Sequence, residues 1–318
     1  MSTENDDLPQ SRHFHLMGLA EGVYAAMSVD GSGSFCNAGI IDLGDRTLVF
    51  DTFLTPEAGE DLRRAAEHLT GRPVSYIVNS HYNADHIYGN QVFTEATIIS
   101  TEKTRDLIAT RGVEVQEWMK ANLAEELRAG EEQLQHEQDE TRRKQMELDL
   151  TTDRLLLSAL PGLELRLPEL TFEHKLVLYG TKRRAEVLSL GGGHTPSDAF
   201  LYLPDEHIAF LGDLLFTKKH PSMWHDQPQE WVSILGQIEQ LDPTTVVPGH
   251  GPLGTREDVI LLRQYFMTLL EMASAVIARG GSADDAAQEP IPAPYAHWQN
   301  TEAFGELMRS FVALQQKD

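Results

Sequence analysis

Four apolar segments of this chain run directly into histidine or aspartate side chains, and this repeated pattern constrains the fold more than any other feature. Each segment is typical of a buried strand followed by a tight, often glycine-bearing turn. Strand ends can aim several side chains at one point, because the strands are rigid and glycine lets the backbone approach closely. The polar residues at these ends are His81, Asp85 and His86 after "VSYIVNS", His194 after "LSLGGG", Asp213 in "IAFLGD" and His250 in "VVPGH".

Imidazole and carboxylate groups are the ligands that zinc prefers when nitrogen and oxygen donors hold it. A single histidine after a strand is ordinary in a loop, but four such ends in one chain predict a single shared metal site. The stretch "HYNADH" places Asn83 between the ligands His81 and Asp85. An amide oxygen is neutral and a weaker donor than an imidazole, so we expect one weak position in this site.

The order of the apolar patterns predicts two β-rich halves separated by a helical segment. Residues 1–101 form the first half, with a helix that Thr55 caps and Gly71 ends. Residues 161–318 form the second half and include the C-terminal helices. Alternation of strands with helices of this kind predicts an α/β fold with sheets covered by helices.

Residues 102–160 between the two halves are expected to form an inserted α-helical hairpin. The segment contains no proline, and no strongly apolar residue occurs between Leu134 and Met146, so that part cannot be buried in a core. Gly112 and Gly130 are the expected breaks. Three roles stay open for the hairpin: a solvated spacer, a cap over the site, or an arm that forms a homo-oligomer.

The formal net charge of −23 argues against nucleic acid or an anionic membrane as a partner, since both would repel such a surface. The single cysteine, Cys36, excludes an internal disulfide and is interpreted as structural. The N-terminal "MSTENDDLPQ" is polar and lacks the apolar region of a secretory signal. We therefore expect a cytoplasmic protein that acts on a small-molecule substrate.

The set His81-x-Asn83-x-Asp85-His86, followed by His194, Asp213 and His250, resembles the metallo-β-lactamase superfamily, whose motif also has histidine at the position of Asn83. The resemblance implies a four-layer αβ/βα sandwich with a site for two metal ions in a cleft between the sheet edges. Site 1 would comprise His81, Asn83 and His194, and site 2 Asp85, His86 and His250. Asp213 would bridge the two sites, and Asp51 in "LVFDTF" would support them.

The same resemblance implies a metal-dependent hydrolase that uses a zinc-bound hydroxide on an ester, thioester, lactone or lactam bond. We expect one tightly bound Zn²⁺ and a second, weaker ion, with Mn or Fe as other metals the site could use. Asp85 would orient the hydroxide, and His194 would complete site 1 or shuttle protons. Lactamases proper often have Cys or Ser at the position of Asp213, which favours esters, thioesters and lactones.

Two alternatives to a zinc hydrolase remain at this point. One is a mononuclear iron oxidoreductase resembling the persulfide dioxygenases of the same superfamily, because two histidines and a carboxylate suit iron. The other is a non-catalytic metal-binding or interaction protein whose acidic hairpin is the working surface. Under the enzyme interpretations, Tyr82, Trp224 and His225 are the candidate substrate-binding residues, because they flank the motif or follow Asp213.

Overall fold

The computed structural model describes residues 8–316, so the first seven residues of the polar N-terminus lie outside the described residues. Two β-sheets pack face to face, and helices cover the outer face of each sheet. The chain is therefore the four-layer αβ/βα sandwich that the sequence predicts.

The first sheet has seven strands in sequential order, antiparallel from β1 to β4 and parallel from β4 to β7. Its strands are β1 (Phe14–Ala20), β2 (Val23–Ser28), β3 (Ala38–Asp42), β4 (Thr47–Phe50), β5 (Val74–Val78), β6 (Thr97–Thr101) and β7 (Leu170–Phe172). The parallel part places the ends of β4 and β5 side by side, which brings the segments after Phe50 and Val78 together.

The second sheet has five strands in the order β12-β11-β10-β9-β8, with only β11 and β12 parallel. Its strands are β8 (Lys175–Tyr179), β9 (Arg184–Gly191), β10 (Asp198–Leu203), β11 (Ile208–Phe216) and β12 (Thr245–His250). Asp213 does not end its strand, because β11 continues to Phe216. Instead, the register between β11 and β12 shifts on both sides of Gly212, and this irregularity redirects the backbone beside Asp213.

The helices are α1 (Pro56–Thr70), α2 (Ala84–Ile87), α3 (Glu102–Leu107), α4 (Val113–His136), α5 (Glu140–Ala159), α6 (Pro228–Gln240), α7 (Arg256–Ala278), α8 (Ala283–Ala287) and α9 (Thr301–Gln315). As predicted, Thr55 caps α1 by accepting from the Ala58 amide, and Gly71 ends it at φ 70°. Helix α1 covers the first sheet, whereas α6, α7 and α9 cover the second.

An apolar cluster packs between the two sheets. Phe50 of the first sheet contacts Phe210 of the second, with ring centroids 6.0 Å apart. Full burial of an aromatic side chain of this size contributes about 1.5–3 kcal/mol. Helix α7 is long and apolar enough to cross a membrane, but its Leu262 and Phe266 are fully buried in the core against the second sheet.

The helical hairpin is present as α4 and α5, which contact each other and are linked by the Glu131–Arg154 ion pair at 2.7 Å. The prediction of a break at Gly130 is wrong, since α4 continues to His136. A Cβ at Gly130 would overlap the Leu150 side chain, so this glycine lets α5 pack closely instead of ending α4. The prediction of a break at Gly112 is also wrong, because a π-helical turn over Ile108–Gly112 leads directly into α4. That the hairpin is an insertion stays a prediction.

Candidate metal centre

The structure brings the predicted histidine and aspartate ligands together at one buried point between the two sheets. His81 follows β5, Asp85 and His86 lie on the one-turn helix α2, and His194 lies in the loop after β9. Asp213 lies within β11, and His250 is the last residue of β12. Each of these six side chains exposes at most 9% of its residue surface.

Four side chains on one side of this cluster bring imidazole and carboxylate atoms to the distances expected between ligands of one metal ion. His86 Nε2 lies 3.2 Å from both Asp85 Oδ2 and Asp213 Oδ1. His250 Nε2 lies 3.3 Å from Asp85 Oδ2 and 3.4 Å from Asp213 Oδ1. Ligand atoms bound tetrahedrally to zinc at its usual bond lengths are separated by about 3.3 Å. These four atoms therefore fit a single divalent cation between them.

Four buried ligand atoms of the centre also lack any hydrogen-bond partner within residues 8–316: His81 Nε2, Asp85 Oδ2, His86 Nε2 and Asp213 Oδ1. A buried polar atom without a partner costs about 1–3 kcal/mol, and more when it is charged. Several such atoms in one place are expected when the missing partner is a metal ion. The unpartnered atoms and the spacing of the ligands therefore both fit a divalent cation at this point.

The other side of the centre is less complete. Asp213 Oδ2 lies 3.2 Å from His194 Nε2 and 3.8 Å from His81 Nε2, so the two oxygens of Asp213 face the two sides separately. The amide nitrogen of Asn83 lies 3.1 Å from His194 Nε2. His194 Nδ1 donates to the Ser222 carbonyl, so Nε2 is the acceptor atom, and the amide hydrogen-bonds to the lone pair that a metal would use.

A buried hydrogen-bond chain fixes the orientation of two of the histidines. Asp51 accepts from His86 Nδ1 at 2.7 Å and from the Ser80 hydroxyl at 2.8 Å. The Ser80 oxygen in turn accepts from His81 Nδ1 at 2.9 Å. With Nδ1 protonated on both rings, each Nε2 keeps its lone pair for a metal, which is the usual arrangement around protein metal sites.

Glycine is required at two positions beside the ligands. A Cβ at Gly249 would overlap Asp213 Oδ1, so only glycine before His250 leaves room for this carboxylate. Gly212 has φ 51°, and a Cβ there would lie 2.7 Å from Ser80 Cβ. The glycines predicted at the strand ends therefore allow the close backbone approach on which the ligand cluster depends.

A sequence profile described as the metallo-beta-lactamase superfamily matches residues 31–250, which include the six ligands and Asn83. The chain belongs to this superfamily.

Solved structures of metallo-β-lactamases share the fold at low sequence identity. The protein from Pontibacter korlensis is 17% identical, with a TM-score of 0.58 over 80% of this chain and 99% of that chain. DIM-1 metallo-β-lactamase is 16% identical, with a TM-score of 0.56 over 80% of this chain and 98% of that chain. The protein from Hirschia baltica is 14% identical, with a TM-score of 0.55 over 80% and 97%. Their likeness concerns the fold.

Protonation differs between the two sides of this metallo-β-lactamase-type centre. Burial opposes the charged form of His250, but the Asp213 and Asp85 carboxylates outweigh it and raise the pKa of His250 to about 9. The pKa of His86 is likewise well above its ordinary value, because nearby negative groups including Asp85 outweigh burial. Burial and the neighbouring His86 instead hold the pKa of His81 well below its ordinary value.

Cys36, which sequence reasoning treats as a structural residue, lies against the metal centre. Its buried thiol donates to the Asp85 carbonyl oxygen at 2.9 Å. Burial raises the pKa of Cys36 to about 12, so the sulfur keeps its proton at neutral pH. The hydrogen bond from Cys36 therefore holds the backbone of Asp85 in place, and its sulfur is also near enough to Asp85 and His86 to join a metal group with them.

The three predicted substrate-binding residues have different surroundings. The exposed Trp224 donates its backbone N–H to the His194 carbonyl at 2.7 Å. His225 contacts Glu230 at 3.1 Å. Tyr82 packs on the apolar cluster beneath the helical hairpin. Their substrate role stays a prediction.

A cavity of about 410 Å³ lies beside His250 and contains residues that sequence reasoning missed. Phe35 and Phe216 line it next to the metal centre, and Asp149 and Asp153 of α5 line its other side. The glycine-rich loop "DGSGSF" is the only sequence feature near Phe35, and it indicates a turn. The positive φ of Phe35, a strain of the kind often found at functional sites, is visible only in the structure. Nothing in the local sequence pointed to the two aspartates, which reach the cavity only through the packing of α5.

Proposed function

We propose that this chain is a metal-dependent hydrolase that uses zinc to cleave an ester, thioester, lactone or lactam bond. The observation that carries the proposal is the set of four buried donor atoms, Asp85 Oδ2, His86 Nε2, Asp213 Oδ1 and His250 Nε2, in which each imidazole nitrogen lies 3.2–3.4 Å from both carboxylate oxygens. Membership of the metallo-β-lactamase superfamily supports the reaction class. Two imidazoles and two carboxylates suit zinc, and the adjoining cavity suits a small molecule.

A zinc ion held by these residues would lower the pKa of a bound water toward neutrality and polarise a substrate carbonyl. The protein's own groups prepare the site for this chemistry. Asp51 fixes the His86 ring with Nδ1 protonated, and Ser80 does the same for His81. These hydrogen bonds occupy Nδ1 of each ring and aim Nε2 inward, so the rings need little movement when metal and substrate bind.

We infer that His194 moves protons in this reaction. Its Nδ1 is anchored to the Ser222 carbonyl, and its Nε2 lies 3.2 Å from Asp213 Oδ2. The Nε2 lone pair can therefore take a proton close to the reacting groups, while the Asp213 carboxylate stabilises the resulting positive charge. This role requires that site 1 is not permanently occupied by metal.

We further propose that one tightly bound ion occupies site 2 and that site 1 is weak. Site 2 has two carboxylates and two imidazoles, whereas Asn83 provides only an amide to site 1. Changes in groups that merely hold the ligands cost about 10–100-fold in metal affinity, and a changed ligand should cost at least as much.

Elemental analysis of protein purified without added metal, followed by a hydrolysis screen, tests the proposal. The screen compares ester, thioester, lactone and lactam substrates, with Asp213→Ala as the inactive variant. Asp205→Ala is the matched control, because Asp205 lies in the turn before β11 with its side chain 62% exposed. We expect zinc-dependent turnover that Asp213→Ala abolishes and Asp205→Ala retains.

Two outcomes would contradict the hydrolase. Bound iron with oxygen consumption, and no hydrolysis, would favour the oxidoreductase alternative. Protein that binds no divalent metal, or binds it without turning over any member of the panel, would favour a non-catalytic role.

A further inference from the structure

The cavity beside His250 has one wall built by the helical hairpin. This wall is lined by Leu148, Asp149, Thr152 and Asp153 of α5. His250 belongs to both the cavity and the metal centre. A small molecule in the cavity would therefore contact α5 on one side and reach the metal centre on the other.

Helix α5 is held in place by contacts with both halves of the fold. Leu148 packs against Gly31 so closely that a Cβ on this glycine would lie 2.9 Å from the leucine side chain. The Thr152 hydroxyl donates to the Ser32 carbonyl at 3.5 Å. At the other end of the cavity, Arg142 pairs with Glu302 of α9 at 3.3 Å. These contacts place α5 along one side of the cavity.

The wall gives the cavity a negative charge. Asp149 and Asp153 come from α5, and Asp30 comes from the loop after β2. None of the three has a lysine, arginine or histidine nitrogen within 4.0 Å among residues 8–316, although Lys219 lies near enough to Asp149 to oppose the rise that burial causes in the pKa of this carboxyl. Lys219 is the single lysine or arginine among the lining residues, and burial lowers the pKa of the neighbouring His220 to about 4, so this histidine is neutral at pH 7.

The floor of the cavity near the metal centre is aromatic. Phe216 stacks on the His250 ring with centroids 5.2 Å apart, and Phe35 meets the same ring edge-on at 5.5 Å. Phe35 is 49% exposed, although large apolar side chains are normally covered. Its φ of 68° is unfavourable for a residue other than glycine, so the fold holds this ring at the cavity at some cost in strain.

We propose that this cavity selects substrates that carry a positively charged ammonium group on an apolar body. The apolar body contacts Phe35, and the ammonium lies at Asp149 and Asp153 while the scissile carbonyl reaches the metal centre. Aromatic faces and unpaired carboxylates together are the groups that recognise alkylammonium ions. The inference rests on the proposed function, because it takes the cavity beside His250 as the substrate cavity of that hydrolase.

Binding of two simple ions to the zinc-loaded full-length protein, measured by calorimetry, tests the selectivity without turnover. Phenyltrimethylammonium is the cationic probe, and benzenesulfonate is an anionic probe of similar size. We expect the cation to bind at least about tenfold more tightly than the anion, in line with two or three partly exposed charge contacts. This comparison needs no variant.

The double variant Asp149→Asn/Asp153→Asn then assigns the selectivity to α5. We expect it to weaken binding of phenyltrimethylammonium by about tenfold, with metal content and melting temperature unchanged. Glu147→Gln is the matched control, because Glu147 lies on the same helix, pairs with Arg143 and does not line the cavity. This control should bind the cation like the wild type.

Three results would overturn the inference: no binding of the cation, equal or tighter binding of the anion, or unchanged cation affinity in the double variant. Hydrolysis of a neutral thioester in the same preparations separates this failure from failure of the hydrolase. If any of these results occurs while the thioester is still hydrolysed, only the proposed charge selectivity is contradicted. Cation binding without any hydrolysis removes only the proposed reaction.

Discussion

The two sides of the metal centre share Asp213 but differ in the groups that face it. On the site 2 side, the Nε2 atoms of His86 and His250 each lie 3.2–3.4 Å from the Asp85 and Asp213 carboxylates. On the site 1 side, Asn83 places an amide nitrogen 3.1 Å from His194 Nε2. The ligand atoms of site 2 face only one another, whereas on the site 1 side the Asn83 amide already hydrogen-bonds to His194 Nε2. The Asn83 amide is therefore the group that we expect to make metal affinity lower at site 1 than at site 2.

Protonation reinforces this difference. The carboxylates of site 2 raise the pKa of both His86 and His250, so without metal these imidazoles carry protons that balance the negative charge. His81 on the site 1 side stays neutral, because burial and the nearby His86 lower its pKa. A cation entering site 2 replaces protons on both imidazoles, whereas site 1 has no comparable charge for a cation to neutralise.

The largest expected effect is on zinc affinity, when a ligand of site 2 is removed and the loss is compared with that from removing a ligand of site 1. Asp85→Asn should lower the affinity for the first zinc ion by more than about 100-fold, because an anionic ligand becomes a neutral one. His81→Ala should lower it far less, since His81 faces only the weak side. Competition with a chromophoric chelator measures both affinities. Equal losses in the two variants would show that the first ion is shared between the sides and would remove the asymmetry.

Asp51→Asn is expected to have the next largest effect, a loss of about 10–100-fold in zinc affinity. The change weakens the acceptor that holds His86 Nδ1 and the Ser80 hydroxyl. The matched variant is Asp198→Asn, because Asp198 is also a buried carboxylate but holds Gly193 and Thr195 beside His194. It should affect binding of the first ion much less. Similar losses in both variants would mean that general loosening, not ring orientation, controls affinity.

Zinc affinity should also increase as the pH rises, because the histidines of site 2 must lose protons before they bind metal. Because the pKa of His250 is raised to about 9, this imidazole is protonated below that pH and must lose a proton to bind metal. We therefore expect affinity to rise by about tenfold per pH unit for each displaced proton up to about pH 9. Calorimetry in buffers with different ionisation enthalpies counts the protons released. Affinity that does not change between pH 6 and 8 would contradict this protonation pattern.

The ligands of the centre could be predicted from the sequence because the signals that place them are local. Each ligand follows a short apolar run, and glycine stands beside Asp213 and His250, where the structure has no room for a Cβ. The first three ligands follow a strand of the first sheet and the other three belong to the second sheet, so their convergence depends on how the two sheets pack, which the local pattern does not record. The covering of two sheets by helices followed from the same alternation of patterns.

The cavity and the hairpin could not be predicted in the same way, because distant packing decides them. Glycine within a helical pattern often marks a break, but Gly130 lies inside the continuous helix α4. Its lack of a side chain leaves room for Leu150 of α5. Asp149 has the pattern of a solvated helix face, and it lines the cavity only because α5 docks on the loop at Gly31. Side-chain periodicity records which residues share a helix face, but it carries no information about what that face meets.

The smallest expected change is in metal stoichiometry, and it addresses Asn83 directly. Asn83→His replaces an amide that donates to His194 with an imidazole that can join His81 and His194 as a ligand. Bound zinc should rise from about one toward two ions per chain, because three imidazoles and the free oxygen of Asp213 then face site 1. Elemental analysis after removal of loosely bound metal measures this ratio.

Asn83→Ala separates the two effects of that substitution, since it removes the hydrogen bond to His194 without adding a ligand. If the missing imidazole is what makes site 1 weak, Asn83→Ala stays near one ion per chain while Asn83→His gains the second. If blockage by the amide is the larger effect, both variants gain it. The second ion should also bind with less proton release than the first, because His81 is already neutral. Wild-type protein that already holds two ions tightly would show that the amide does not weaken site 1.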